Sequence, residues 1–293
     1  MFTLSCCSTV DLTNEQMAAR NISYIAMHYQ LDGENLRDDM GKSMPMDDFY
    51  RKMAAGAETA TSQINITEFL EYFSRLLEQG QDVLHVCLSS GISGTYQSAV
   101  NAALIARDRY PDRKLYVVDS LGASSGYGLI METLADKRDA GMDIDALYEW
   151  IEQNKLRLHH WFFSTDLTFY VKGGRVSKTA GFFGGMLGIC PLLNMDNLGR
   201  LIPRAKIRSK KRVIAEIVRR MEENADNGTA YDGKCYICQS YCREDAEAVK
   251  AMVEERFPAL KGRVCIYSIG PTIGSHTGPG TVALFFWGSE RKD

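Results

Sequence analysis

Strand-like and helix-like patterns alternate along most of this 293-residue chain, and this alternation strongly limits its fold. Residues 82–88 and 114–118 are short apolar runs rich in valine and leucine, which predict buried strands. Residues 66–79 and 93–110 carry apolar side chains at helical spacing, and Thr67 is a plausible N-cap of the first of these helices. Because such an order is typical of βαβ units, we expect an α/β fold whose N-terminal part has a mainly parallel sheet.

The pattern changes near residue 157, and the length of the chain favours two domains. A chain of 293 residues can form two cores of about 100–200 residues each. Residues 160–163 (His-Trp-Phe-Phe) begin a second section, which contains a glycine-rich stretch between 172 and 188 and then further helical and strand patterns. We therefore predict an N-terminal α/β domain over residues 1–157 and a C-terminal α/β domain over residues 158–293.

Charge and hydropathy argue against nucleic-acid binding and membrane insertion. The net charge is −3 and the pI is near 6.0, so no overall positive field attracts nucleic acid. The first residues lack the basic start and apolar core of a secretory signal. Residues 180–193 form the longest nearly apolar run, which is shorter than the roughly 20 residues of a membrane-spanning helix. We expect a soluble, cytoplasmic protein with no transmembrane segment and no nucleic-acid partner.

The eight cysteines are more typical of reduced thiols than of a disulfide framework. Cys235, Cys238 and Cys242 are the one cluster that suggests a metal site, but no fourth ligand follows at zinc-site spacing. If residues 231–240 form a strand, Cys235 and Cys238 also face opposite sides of it, because their separation is odd. The sequence therefore predicts no metal and no cofactor.

Residues 89–95 (Ser-Ser-Gly-Ile-Ser-Gly-Thr) combine hydroxyls and glycines at a predicted strand-to-helix turn. Unpaired N–H groups at a helix N-terminus favour a bound anion, and open α/β sheets bind ligands at such junctions. Ser93, Gly94 and Thr95 are thus candidates for holding a carboxylate or phosphate. Serine is also a common N-cap, and the segment alone favours that structural role slightly.

Two further polar segments contain candidate site residues. Thr61 and Ser62 belong to a polar turn before the helix predicted at 66–79. Residues 270–280 hold His276 and Thr277 among several glycines and prolines, a composition that predicts a rigid loop able to present the histidine to a ligand. A lone loop histidine is usually solvated, so each segment by itself is a moderate signal.

Several alternatives remain open from the residues themselves. Ser93 and His276 are candidates for a serine hydrolase pair, although the chain lacks a nucleophile-elbow sequence and an assignable acid. The basic segment 172–178 is either a solvated loop or a docking element for an acidic partner or a phosphate. Residues 204–212 form a second basic run, which resembles a strand with one solvated face. Residues 180–193 are either the wall of a long apolar cavity or part of a core.

Taken together, these segments resemble the DegV family, the fatty-acid-binding subunits that serve bacterial fatty acid kinases. The similarity extends over nearly the whole chain and depends on the order and spacing of short motifs. These motifs are Ser8-Thr9-Val10-Asp11-Leu12, Asp48-Phe49-Tyr50, Thr61-Ser62-Gln63, residues 90–98 (Ser-Gly-Ile-Ser-Gly-Thr-Tyr-Gln-Ser), Val118-Asp119-Ser120, Gly173-Gly174-Arg175-Val176-Ser177 and His276-Thr277-Gly278-Pro279-Gly280.

The resemblance implies a non-catalytic carrier with a long-chain fatty acid buried between two α/β domains. The carboxylate ligands would be Thr61 or Ser62, Ser93 and His276, beside Gly94, Thr95 and Thr277. Arg175 would lie near the entrance or on the partner surface. A separate ATP-dependent fatty acid kinase would phosphorylate the bound carboxylate. A carrier of another hydrophobic acid is a further alternative.

The chain departs from the family pattern at two places. Family members commonly have an acidic residue immediately before the Ser-Thr pair, where this chain has Cys7. The proline that usually follows the Thr-Ser-Gln segment is replaced by Ile64 and Asn65. The second change predicts a different start for the following helix.

Overall fold

A computed structural model describes residues 2–177 and 188–292 of the chain. The strands are β1 (Phe2–Cys7), β2 (Ile22–Ile25), β3 (Met27–Leu31), β4 (Glu34–Asp38), β5 (Thr59–Ser62), β6 (Asp82–Cys87), β7 (Leu115–Asp119), β8 (Leu158–Ser164), β9 (Ile189–Met195), β10 (Leu201–Arg208), β11 (Tyr236–Gln239), β12 (Cys265–Ser268) and β13 (Thr281–Trp287). The α-helices are α1 (Asn14–Ala19), α2 (Met46–Ala54), α3 (Ile66–Glu78), α4 (Thr95–Arg109), α5 (Ser124–Asp139), α6 (Ile144–Asn154), α7 (Thr168–Lys172), α8 (Lys210–Asn224), α9 (Arg243–Arg256) and α10 (Pro271–Thr277).

The described strands form three sheets. The N-terminal sheet has the order β2-β1-β6-β7 and is entirely parallel, which confirms the predicted α/β fold. A small antiparallel sheet, β4-β3-β5, lies beside it. The C-terminal sheet has the order β10-β9-β8-β13-β11-β12 and pairs antiparallel except between β11 and β12. Its mostly antiparallel pairing was not expected from the alternating pattern. Local periodicity identifies strands but not their partners.

Each large sheet separates two packed layers. Along β13, Ala283 and Phe285 face the central core, whereas Val282, Leu284 and Phe286 face the core under α8 and α9. The same alternation places Cys238 in the central core and Cys235 in the outer one, as predicted for these two thiols. Helices α3 and α4 cover one face of the N-terminal sheet. The central core thus lies between the two large sheets.

The start of α3 differs from the prediction. Asn65, and not Thr67, is the N-cap. Its side chain accepts a hydrogen bond from the Glu68 amide, and the Glu68 carboxylate accepts one from the Asn65 amide, both 3.0 Å long. This reciprocal capping box satisfies two amides that would otherwise lack partners. Asn65 is one of the two residues that stand where the family usually has a proline. In this chain the replacement residue is itself the N-cap of α3.

The basic and glycine-rich segments have different outcomes. In β10, Arg204, Lys206 and Arg208 are exposed while Ala205 and Ile207 are partly buried, which confirms the strand with one solvated face up to residue 208. Residues 210–212 instead begin α8. Of the segment proposed as an apolar wall, 180–193, residues 180–187 lie outside the described residues, and residues 189–193 belong to β9.

Within residues 2–177 and 188–292, no helix combines the length and the apolar character that crossing a membrane would require. The first strand of the C-terminal sheet begins at Leu158. The division into domains at residue 157 stays a prediction.

Candidate functional site

A cavity of about 280 Å³ lies between the N-terminal and C-terminal sheets. It takes part of its lining from residues before position 157 and part from residues after it. Its apolar lining includes Met27, Leu88, Ile92, Phe162, Met195, Leu201, Ile269, Ile273, Ala283 and Phe285. Among these, Phe162, Met195, Ile269 and Phe285 are all buried. Such a cavity, with an apolar body and a few polar groups, is typical of a small-molecule site.

The turn between β6 and α4 forms one polar wall of the cavity. Ser93 and Gly94 line it. The Ser93 hydroxyl lies 2.9 Å from that of Thr95 and accepts a hydrogen bond from the Thr95 amide at 3.2 Å. Thr95 itself is fully buried and is not part of the described lining. Its structural position is therefore behind Ser93, where it orients the Ser93 hydroxyl.

Thr61 and His276 meet at the same end of the cavity. The Thr61 hydroxyl lies 2.7 Å from His276 Nε2, and Ser62 and Thr277 also line the cavity. Two sequence predictions about these segments are wrong. Thr61 and Ser62 end strand β5, which is paired with β3, and His276 lies on helix α10 and not in a loop.

Burial, together with the nearby charge of Arg175, lowers the pKa of His276 to about 4. The imidazole is therefore neutral near pH 7 and pairs with Thr61 as a neutral hydrogen-bonding group. Its other nitrogen, Nδ1, is buried without a hydrogen-bond partner among the described residues. An unpaired buried polar atom of this kind costs about 1–3 kcal/mol.

Arg175 joins the two polar walls. Its guanidinium donates hydrogen bonds to the carbonyl of Ile92 at 3.1 Å and to that of Gly173 at 2.6 Å. Gly173 in turn lies against His276, because a Cβ atom built at this position would come within 2.3 Å of Nδ1. Arg175 lines the cavity and is partly buried, and its predicted place at the entrance or partner surface stays a prediction.

Charge and exposure are unevenly distributed over the cavity. Arg175 is the charged residue of the described lining, which contains no aspartate or glutamate. Near it, Ser62, Gln63 and Gly94 are exposed to solvent. The cavity thus has a positively charged, hydroxyl-rich end at the surface and an apolar interior. A ligand with one anionic end and an apolar remainder matches both parts.

The structure does not support the serine hydrolase alternative. In the described residues, the hydrogen-bond partners of Ser93 belong to Thr95, while His276 is paired with Thr61. No hydrogen bond joins Ser93 to His276 there, as activation of the serine by the histidine would require.

The family model of the DegV family of uncharacterised proteins matches residues 7–288. This chain belongs to the DegV family. A DegV domain-containing protein from Clostridium perfringens is 33% identical over 285 residues, which cover 97% of each chain. A fatty acid-binding protein from Thermotoga maritima is 29% identical, also over 97% of each chain. The crystal structure of a DegV lipid-binding protein from Thermotoga maritima is similar over 100% of both chains, with a TM-score of 0.84 and 25% identity.

Several lining residues of this DegV chain were missed by sequence analysis. Phe162, Ala283 and Phe285 share one face of the C-terminal sheet, and the period of two in β8 and β13 predicts that they do. Periodicity does not tell which face borders a cavity. His160 was also missed as a lining residue: it is buried, and burial lowers its pKa well below the ordinary range.

Two buried carboxyl groups of the DegV chain lie directly behind the cavity wall. Asp11 accepts hydrogen bonds from the hydroxyl of Ser124 and, at 2.9 Å, from the amide of Gly270. Asp38 accepts one from the amide of Thr272 at 3.1 Å. Burial, together with the nearby charge of Asp38, raises the pKa of Asp11 to about 8. Asp11 is therefore largely protonated at neutral pH.

We expect Asp11→Asn to remove a pH-dependent loss of stability. The ordinary pKa of Asp11 is 3.8, so between about pH 4 and pH 8 the folded chain holds a proton that the unfolded chain has released. The contribution of Asp11 to stability is thus fully present below pH 4 and falls by about 1 kcal/mol per pH unit up to pH 8. Chemical denaturation at pH 5, 6, 7 and 8 measures the free energy of unfolding of both proteins. The value for the variant should rise relative to that of the parent protein as the pH increases.

Asp196→Asn is the matched control for this experiment. Asp196 is also buried, but hydrogen bonds from the backbone and side chain of Arg200 lower its pKa despite the opposing effect of burial. It is ionised in both states above pH 5, so its replacement should change the free energy of unfolding by a constant amount. A pH-independent difference for Asp11→Asn as well would contradict the assignment of a raised pKa to Asp11.

Proposed function

We propose that this protein binds a long-chain fatty acid and holds its carboxylate for phosphorylation by a separate ATP-dependent fatty acid kinase. The observation that carries the proposal is the division of one cavity into an apolar body and a polar end with Arg175, Ser93 and the Thr61–His276 pair. The fatty acid-binding protein from Thermotoga maritima, which is similar along almost the whole chain, supports the same ligand class.

The proposed carboxylate site has several donors because an ionised carboxylate is costly to bury. The Ser93 hydroxyl, the Gly94 amide, the Thr61 or Ser62 hydroxyl and the Thr61–His276 pair would surround the carboxylate, with Arg175 supplying the positive charge. Thr95 would orient Ser93, and Thr277 would complete the wall beside His276. Each hydrogen bond to a charged group contributes roughly 1.5–3 kcal/mol. Together they can compensate for removing the carboxylate from water.

The acyl chain requires only the apolar body of the cavity. Each buried methylene contributes roughly 0.8 kcal/mol, so a long chain is held tightly without a specific contact to its tail. No cofactor takes part in this binding. The chain acts as a non-catalytic carrier, and the kinase supplies the nucleotide site.

Exposure of the polar end supports access by a second protein. Ser62, Gln63 and Gly94 are exposed, whereas the apolar lining lies deeper, with Phe285 at 2% exposure and Met195 at 1%. A bound carboxylate would therefore lie nearer to solvent than the tail. This orientation suits transfer of a phosphoryl group to the carboxylate while the tail stays bound.

We expect protein purified from its expression host to contain about one equivalent of long-chain fatty acid. Mass spectrometry of an organic extract would identify the ligand, because the apolar tail retains it through purification. If the extract contains another hydrophobic acid instead, that acid is the ligand and the proposed fatty acid is not. An extract without lipid, together with no saturable binding of added fatty acid, would refute the carrier function.

The kinase step has its own measurement. The loaded protein is incubated with purified fatty acid kinase, ATP and hydroxylamine, which traps an acyl phosphate as a hydroxamate. Hydroxamate should form only when both proteins are present. If the kinase forms as much hydroxamate from free fatty acid without this chain, presentation by this chain is not required. That result would not depend on which lipid the purified protein contains.

A further inference from the structure

Two cysteines and a histidine converge on one face of the N-terminal sheet. Cys7 ends β1 and Cys87 ends β6, and the parallel register pairs Cys6 with Val86, which places Cys7 beside Cys87. His85 lies two residues before Cys87 and so shares its face. All three side chains are fully buried beneath α3 and α4.

The ligand atoms of these residues have the spacing of a metal site. Cys7 Sγ, His85 and Cys87 Sγ lie within 4.8 Å of one another, and Cys7 Sγ is 3.9 Å from His85 Nε2. Around a three-coordinate ion, bonds of about 2.3 Å to sulfur and about 2.0 Å to nitrogen separate neighbouring ligand atoms by about 3.7–4.0 Å. The observed spacing therefore leaves room for one ion at the centre of the cluster.

The surroundings of His85 fix its orientation toward the thiols. Its Nδ1 atom lies 2.9 Å from the Ser5 hydroxyl, which lies 2.7 Å from the Tyr72 hydroxyl. The rings of Phe69 and Phe73 pack edge-on against the imidazole. This arrangement is typical of a metal-binding histidine, whose second nitrogen is held by a neighbouring polar group.

We propose that Cys7, His85 and Cys87 form a binding site for one soft monovalent metal ion, copper(I). Two sulfurs and an imidazole nitrogen are a soft ligand set that suits copper and zinc. Zinc in structural sites is almost always four-coordinate, whereas within the described chain this cluster offers three ligands from His, Cys, Asp and Glu. Copper(I) accepts three-fold coordination and needs no water in this buried position.

The sequence does not reveal this site, because its ligands are far apart along the chain: Cys7 lies 78 residues before His85. Only the pairing of β1 with β6 brings the ligands together. The ion would link these two neighbouring strands at the edge next to the proposed carboxylate site.

The test is an anaerobic titration of the reduced protein with copper(I) buffered by bicinchoninate, a competing chromophoric chelator. The exposed Cys265 is replaced by serine in every sample to remove a competing surface thiol. We expect one copper(I) per chain, and X-ray absorption of the loaded protein should show two sulfur ligands and one nitrogen. This measurement needs no change to the cluster and so does not depend on the folding of a ligand variant.

Cys7→Ser and Cys6→Ser are the matched pair of variants. Both replace a buried thiol of β1, but Cys6 faces the central core on the opposite side of the sheet. Cys7→Ser should weaken copper(I) binding by at least about 100-fold, and Cys6→Ser should leave it unchanged. Equal binding by the two variants, a preference for zinc over copper(I) in direct competition, or a Cys7–Cys87 disulfide in the freshly purified protein would each overturn the proposal.

Discussion

Replacing the Ser93 hydroxyl by a hydrogen in Ser93→Ala should weaken binding of a long-chain fatty acid by about 10- to 100-fold. Ser93 lines the polar end of the cavity, and a hydrogen bond to a charged group contributes roughly 1.5–3 kcal/mol. The carboxylate would lose one donor while its tail stays buried. Titration with a fluorescent fatty acid at constant pH and salt measures the change.

Ser90→Ala is the matched control for Ser93→Ala. Ser90 lies in the same turn but is exposed and is not part of the described lining. The Ser90→Ala variant should bind fatty acid with the same affinity as the parent protein. Unchanged affinity in both variants, with unchanged unfolding transitions, would remove Ser93 from the carboxylate site. Turnover of acyl esters by the parent that disappears in Ser93→Ala would favour the hydrolase alternative instead.

Filling the apolar body of the cavity should have a larger effect than changing its polar end. Ala283 lies on β13 opposite Phe162 of β8, is buried, and lines the cavity. In Ala283→Phe, the added ring would occupy space for about four methylenes of the ligand. At roughly 0.8 kcal/mol for each methylene, the loss is about 3 kcal/mol, or more than 100-fold in affinity.

The same variant tests whether the acyl chain occupies the apolar body of the cavity. Purified Ala283→Phe should contain little lipid, while Ala283→Ser, which hardly changes the volume, should retain it. The unfolding transition of the ligand-free Ala283→Phe protein shows whether the ring is accommodated, since overpacking typically costs about 1–3 kcal/mol. Native-like stability with undiminished lipid content would place the acyl chain elsewhere.

The elements around the Ser93 turn, in the N-terminal sheet and its covering helices, were predictable because their sequence signals are local. The apolar run at 82–88 corresponds to β6, and the helical spacing at 66–79 corresponds to α3, within one or two residues. Motif order along the chain likewise indicated the DegV family, which the family match confirms. Local signals were less reliable at helix ends and in short elements, where Thr67 was predicted as a cap and the seven-residue helix α10 as a loop.

The sequence identified candidate site residues by their chemical type, but it did not reveal how they are arranged in space. Thr61 and His276 are 215 residues apart and meet only because α10 packs against the small sheet that contains β5. The place of Arg175 in the cavity lining depends on its hydrogen bonds to the carbonyls of Ile92 and Gly173. A side chain's hydrogen-bond partners are set by the packing of whole elements, which no local pattern encodes.

By itself, the sequence determined the positions of most strands and helices, the family, and the hydroxyl-rich segments from which a polar site could be built. Side-chain periodicity and turn chemistry act over a few residues, so these features are legible in the chain. Tertiary structure alone decided the antiparallel order of the C-terminal sheet, the face that borders the cavity, and the meeting of Cys7 with His85 and Cys87. These features depend on which distant strands pair, and that choice is made by the burial of the whole core.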